Sequence, residues 1–447
     1  MEKLYKYIED HSDEYLKWLE KSCNQPSISA QNIGMLEMKE LVKHFLLKID
    51  ADIEEIETGG YPIIYGEINN GRDKTLMFYN HYDVQPPEPL EEWLSDPFRT
   101  TIETGKITAR GTADNKGNLI ARICAIHAYQ HIYGELPVNI KFVFEGEEEV
   151  GSPHLEWFAE NYPEKMNVDG IIWEGGSRGA IDKRLHVGLG VKGISYVELI
   201  CKGADFDLHS SEAAIIENPA WRLVWALNTL KNEKEEILID GFYDDVMPLT
   251  DKEKAFIQTM AYNEDEIKEQ YGITGFLNNL KGDSLKKRLT AAPTCTICGI
   301  ESGYTGEGTK TVLPAVAKVK LDFRLVPDQD PKKIVSLLRK HLDKNGYSDI
   351  EIKEYHGMVP FNTDPNSPFV KTVLDGVKDL YQEPPIILRN LAGSSPMNKM
   401  LKNSTIPAVQ IGVANTQSNI HGPNENIYVE DYIQGIKLTA NIIHRLK

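Results

Sequence analysis

Apolar and polar positions alternate along the chain with two periods, and the switches between them mark its elements. Residues 1–48 repeat apolar positions at helical spacing, which predicts amphipathic helices entering a β-rich stretch near Ala51. The apolar run Thr75–Val84 (TLMFYNHYDV) predicts a buried strand. A loop with Pro86, Pro87 and Pro89 and the strand-like ITARG follow it. Next come a helix across Asn118–Tyr133, a strand at Val138–Glu145, a helix over 153–161 and a strand at Asp169–Glu174. Strands alternating with helices predict an α/β fold with a mixed, largely parallel sheet.

The pattern changes near Lys192. Strand 194–202, helix 217–231, a long helix-rich insertion, strands 294–301 and 314–326, helix 331–344 and strand 349–356 follow in turn. Without the insertion, this is the β-α-β-β-α-β order of a ferredoxin-like α+β unit. From Phe361 the chain returns to helix, then to a strand at Ala408–Val413 and a closing helix over Val429–Lys447. The expected organisation is one domain made of 1–191 and 358–447, with a smaller domain, 192–357, inserted into it. A length of 447 residues agrees with two cores.

Charge and cysteine usage narrow the function classes. With 49 basic and 67 acidic side chains the net charge is −18, which argues against nucleic acid as a partner, since phosphate binding needs a basic surface. Five scattered cysteines do not make a disulfide framework, and Cys295–Thr–Ile–Cys298 has no second pair to complete a metal site. This usage fits a reducing compartment. No apolar run approaches the ~20 residues of a membrane span, and the charged N-terminal helix lacks a signal core. A cytoplasmic protein without a membrane partner is expected.

Candidate chemistry collects at the ends of strands. His81 and Asp83 share one side of their strand, and the carboxylate can fix the tautomer of the imidazole. Glu145–Ser152 (EGEEEVGS) crowds carboxylates after a buried strand, which is costly unless a cation or proton offsets the repulsion. Glu174 ends the next strand, and His421 lies in the late loop NIHGPNE. Asp114 lies in Arg110–Gly117 (RGTADNKG) at the opening of a helix, where an aspartate alone reads as an N-cap. Ligands of α/β sheets gather beyond the carboxyl ends of strands. Two imidazoles and several carboxylates there suit two divalent metals roughly 3.5–4 Å apart on a shared carboxylate, with a further glutamate as proton acceptor. Spacing alone leaves Glu147, Glu148 and Glu149 as equal candidates for that base. Gly188–Gly193 (GLGVKG) precedes a strand, unlike a dinucleotide loop, and His127 and His131 lack the glutamate of a zinc helix.

Taken in order, HYD, RGTADNKG, EGEEEVGS, WEGG and NIHGPNE span essentially the whole chain. In them the sequence resembles the co-catalytic zinc peptidases that include carnosine dipeptidase, carboxypeptidase G, aminoacylase and succinyl-diaminopimelate desuccinylase. The resemblance implies a di-zinc peptidase-type catalytic domain with an inserted lid and dimerisation domain. It implies two divalent ions per chain, zinc foremost, with manganese or cobalt as alternatives. Their ligands would be His81 and Glu174 for one ion and Glu149 and His421 for the other, with Asp114 bridging and a cis peptide bond after it. Asp83 would support His81, and Glu148 would be the general base. Asp207–Ser210 (DLHS) resembles the lid motif whose histidine, His209 here, stabilises the oxyanion, often in the partner's site. Thr311, Arg324, Gly393 and Ser394 match substrate-contacting positions, with Arg324 suited to a carboxylate.

The implied activity is amide hydrolysis of dipeptides or short peptides bearing a free carboxylate, in a homodimer. N-acyl-amino-acid deacylation and carboxypeptidase action are the alternatives. A silent binding protein on the same fold would lose ligands, whereas every matching position holds a competent residue. The sequence departs from the family at Leu391–Ala392, where an acid is usual, and at Ser211–Glu212 after DLHS. Glu174 leans towards the carboxypeptidase and deacylase branches, and the approach through Trp93 and Pro97–Phe98 towards the dipeptidases.

Overall fold

The computed structural model describes residues 1–447 apart from Ile181, Ala261 and Asn403. Two sheets organise the described residues. The larger has eight strands in the order Asp52–Ile56, Ile63–Ile68, Asn139–Glu145, Thr75–His81, Gly170–Trp173, Ala408–Gln410, His186–Gly188 and Ile386–Leu388. Its centre is parallel, with Thr75–His81 lying between Asn139–Glu145 and Gly170–Trp173. Antiparallel pairs appear towards the margins, so the sheet is mixed as its pattern predicts.

The strands are apolar on both sides because both faces are covered. Phe78, Phe142 and Ile172 enter the core beneath helices Lys116–Tyr133 and Val429–Arg445 and the N-terminal helices. Their neighbours Met77, Tyr79, Val143 and Trp173 point the other way, towards Leu155, Phe158 and Met397. Tyr79 and Trp173 stack at 3.7 Å between ring centres. Alternate strand residues thus feed two cores, which is why these strands read as continuous apolar runs.

The second sheet is antiparallel, in the order Thr294–Ser302, Val316–Leu325, Gly193–Lys202 and Glu351–Met358. With helices Pro219–Leu230 and Pro331–Lys344 it forms the expected β-α-β-β-α-β unit around Val197, Leu199, Leu223, Val319 and Leu338. Asn218 and Asp330 cap these helices, each followed by a proline at the first helical position. The Cys295 side chain is buried and that of Cys298 exposed, with a bulge in the strand between Ile297 and Gly299.

The helix-rich insertion does not stay with this second sheet. Its helix Asp251–Thr259 packs on the marginal strand Ile386–Leu388 of the larger sheet. Glu253 closes a capping box with Thr250 and also forms a buried ion pair with Arg389. The histidines set aside on sequence grounds are packing residues, His127 against Tyr15 and Trp18 and His131 against Tyr7.

Candidate metal centre

Parallel pairing aligns the carboxyl ends of three central strands, with His81 opposite Glu145 in the register. The residues just past those ends, Asp83, Glu148, Glu149 and Glu174, therefore meet in one place. Asp114 comes from the loop before the long helix and His421 from the late loop.

Asp114 stands in the middle. Its Oδ1 is 3.0 Å from His81 Nε2 and its Oδ2 is 3.1 Å from His421 Nε2. Glu174 Oε2 lies 3.2 Å from the same nitrogen of His81, and Glu149 Oε2 lies 3.3 Å from that of His421. Two donor sets thus share one carboxylate. The peptide bond from Asp114 to Asn115 is cis. The long helix starts at Lys116 with Asn115 at its N-cap position, so the Asp114 carboxylate is turned to the histidines and does not cap the helix.

Asp83 holds one wall of the site. Its carboxylate sits 3.3 Å from His81 Nδ1 and accepts from the Ser29 hydroxyl at 2.7 Å and the amides of Glu148 and Glu149 at 3.3 and 3.1 Å. One aspartate therefore orients the imidazole and shapes the turn of acids. Gln85 donates to Glu149 Oε2 at 2.8 Å. Beneath the site, Arg122 donates to the carbonyls of Tyr79 and Trp173, both at 2.6 Å, and to the Asn80 side chain, which in turn donates to Asn115.

Glu425 secures the other wall. Fully buried, it accepts from the Arg110 guanidinium and from the amides of Gly111, Ala113 and Asp114. Arg110 also donates to the His421 carbonyl at 3.1 Å, joining the two loops that carry Asp114 and His421. Ser29, Gln85 and Glu425 were not singled out from the sequence. Glu425 was within reach, because it ends the NIHGPNE motif. Ser29 and Gln85 carry no local signal.

Burial and mutual repulsion mark this cluster electrostatically. Burial, with Asp114, Glu145 and Glu149 nearby, pushes Glu174 up to about 8 against the pull of His81. Burial and the charge of Glu174 carry Glu148 well above the carboxylate range. Hydrogen bonds to Asp114 and Glu149 raise His421 to about 10. Burial opposes the charged form of His81, but Glu174, Asp114 and Asp83 outweigh it and hold His81 well above the usual imidazole range. Burial also opposes the charge on Asp114, yet its hydrogen bonds to both histidines bring it below the usual range. Such crowding is what a bound cation relieves.

The donors fit divalent metal ions. Glu149 Oε1 and Glu174 Oε2 are buried oxygens that accept no hydrogen bond, which leaves them open to a cation. Single donor atoms of His81, Asp114 and Glu149 lie within 4.8 Å of one another. Imidazole and carboxylate together suit zinc, manganese or cobalt.

The remaining candidates form two other groups. Arg324 donates to the Ser394 hydroxyl and to Asp322, each at 3.1 Å, while Gly393 accepts from the Lys192 amide at 3.0 Å. Thr311 Oγ1 lies 3.4 Å from His209 Nε2, with both residues exposed. Among the described residues, no hydrogen bond or ion pair joins His209 or Thr311 to the His81–Asp114 cluster.

Comparison with known proteins agrees with this architecture. The model of peptidase family M20/M25/M40 matches residues 77–445. A Beta-Ala-His dipeptidase of Mus musculus is 30% identical, over 98% of this chain and 94% of its own. The Cys-Gly metallodipeptidase of Schizosaccharomyces pombe is 28% identical over 100% and 98%. The crystal structure of an M20 family metallo-carboxypeptidase from Sulfolobus solfataricus is 40% identical and superposes with a TM-score of 0.89, covering 96% of this chain and 98% of that one. The chain belongs to peptidase family M20/M25/M40, a family of metal-dependent peptidases.

Proposed function

We propose that this enzyme hydrolyses the amide bond of dipeptides or short peptides with a free carboxylate. One observation carries the reading: the two oxygens of Asp114 face His81 and His421 separately, with Glu174 and Glu149 completing the two sets. His81, Asp114 and Glu174 would hold one divalent ion, and Asp114, Glu149 and His421 a second. Zinc, manganese or cobalt would serve. Ions held there would supply Lewis acidity to the scissile carbonyl and lower the pKa of water.

The chain supplies the rest. Asp83 keeps a proton on His81 Nδ1 and so leaves Nε2 free as a ligand. Glu148 takes the proton of the attacking water and returns it to the leaving amine. Its position beside the donor sets, with its carboxyl pushed above the carboxylate range by burial and the charge of Glu174, suits a group that exchanges protons. Arg324 anchors the substrate carboxylate, helped by Ser394, Gly393 and Thr311, and His209 donates to the oxyanion.

Residues 192–357 act as the lid and dimerisation domain on a catalytic domain of 1–191 and 358–447. Exposed Trp221, Trp225, Ile297 and Ile300, together with the free edge of strand Thr294–Ser302, support a homodimer through this region. All five cysteines are free, which supports a reducing, cytoplasmic setting. No helix among the described residues is long and apolar enough to cross a membrane.

A second reading, carboxypeptidase action on longer peptides, draws on the 40% identity to the metallo-carboxypeptidase. Mass-spectrometric product analysis separates the two. The protein is incubated with added zinc or manganese and a mixture of dipeptides, longer peptides and N-acyl amino acids, with a chelated control. Chelator-sensitive cleavage confined to dipeptides and short peptides is expected. Stepwise release of C-terminal residues from long peptides would replace the first reading with the second, and release of acyl groups alone would overturn both.

A further inference from the structure

The turn that carries Glu148 is held from two sides. At the front, the Asp83 carboxylate accepts from the amides of Glu148 and Glu149. At the rear, the turn leaves through Gly151 and Ser152, whose successive φ values of 89° and 47° are both left-handed, the second in a residue with a side chain. The Lys399 ammonium donates to the carbonyls of both, at 3.2 Å for Ser152. Lys399 is 248 residues from Gly151 in sequence.

Lys399 belongs to the short helix Met397–Met400, which is firmly seated. Met397 and Met400 are buried in the core that contains Leu155 and Phe158. Asn398 donates to the Val359 carbonyl, and Lys402 pairs with Glu156. The same segment begins at Ser394, whose hydroxyl accepts from Arg324. A half-buried ammonium is costly unless its donors are used, and here they are spent on the exit of the acidic turn. Burial lowers its pKa, while the nearby charges of Glu145, Glu156 and Glu148 favour the cation.

We propose that Lys399 is a positioning residue: it fixes the rear of the 147–152 turn and so aims Glu148, and it links that turn to the segment that meets the substrate-anchoring arginine. The inference rests on Glu148 carrying the proton. Local ties also act on the turn, the Ser152 hydroxyl donating to Glu145 Oε1 at 2.8 Å and His154 pairing with Glu147; Lys399 adds a restraint on its rear carbonyls from a distant segment of the chain.

The test compares wild type, Lys399→Met and Lys399→Arg, with Glu148→Gln as a control, using hydrogen–deuterium exchange over residues 146–153, metal content and steady-state kinetics on the peptide mixture. In Lys399→Met, exchange of that segment should rise about tenfold or more. Its kcat should fall by up to about a hundredfold, with KM and metal content unchanged, and Lys399→Arg should recover part of both losses. Unchanged exchange in Lys399→Met would overturn the proposal, as would a loss confined to KM or to bound metal. Full activity in Glu148→Gln would instead overturn the reading of Glu148, while the exchange measurement still decides whether Lys399 holds the turn.

Discussion

The Arg110 guanidinium meets the Glu425 carboxylate at 2.7 Å, and both side chains are shut off from solvent. Removing one partner of such a pair strands the other charge in the interior. Glu425→Ala should therefore lower unfolding stability by about 3–5 kcal/mol. It should also loosen the loops that carry Asp114 and His421, so metal affinity falls with it. Urea denaturation and metal titration of the variant check both effects, and a stability within 1 kcal/mol of wild type, roughly the level of a surface substitution, would contradict this account.

Metal binding should expel protons. Without an ion, hydrogen bonds to Asp114 and Glu149 keep His421 cationic up to about 10, and burial keeps Glu174 protonated up to about 8. An incoming cation needs the imidazole neutral and the carboxylate ionised. Apparent affinity should then rise with pH between about 6 and 8, because both groups still carry their protons there and the free protons that compete with the ion become scarcer. Calorimetry in two buffers of different ionisation enthalpy measures the release, and a pH-independent affinity would be inconsistent with it. Chelation should lower the melting temperature, and ion at a hundred times its Kd should restore about 2.7 kcal/mol.

Arg324→Lys keeps the charge but loses the planar fork that can address a carboxylate and Ser394 together. KM for substrates with a free carboxylate should rise roughly tenfold or more, with a smaller change in kcat. Amidated peptides, which lack the charge, should show little difference between the variant and wild type. An equal loss on both substrates would move the anchor elsewhere.

Trp221 and Trp225 stack with 6.0 Å between ring centres on the exposed side of helix Pro219–Leu230, 58% and 50% exposed. Two half-exposed indoles side by side are a poor surface for a lone chain. Sedimentation velocity should find wild type as a dimer and Trp225→Glu shifted to monomer. A variant that stays dimeric would place the interface on another face.

Element types were readable wherever burial imposes a clear period. The fully buried strand Asn139–Glu145 and the amphipathic helix Pro331–Lys344 are examples. Boundaries moved where a local rule was overridden. The long helix begins at Lys116 rather than Asn118, and the strand from Ala408 stops at Gln410 rather than Val413. In the site, the residues at strand ends were legible because a strand end is a position in sequence. The supports were not. Ser29 reaches Asp83 across 54 residues and Lys399 reaches Gly151 across 248, separations that no local spacing encodes. The attachment of helix Asp251–Thr259 to the larger sheet was invisible for the same reason, since Glu253 reads as a capping residue until Arg389 is beside it.

The interleaving of the two sheets sets an order for synthesis. A ribosome delivers the strands Gly193–Lys202 to Glu351–Met358 as one uninterrupted stretch, so the smaller sheet can close as soon as that stretch has emerged. The larger sheet must wait for Ile386–Leu388 and Ala408–Gln410. By then His81, Asp114 and Glu174 have long been available, whereas His421 and Glu425 are still to come. The nascent chain therefore offers one half of its centre first, and the second half is completed by a loop that also locks the first in place.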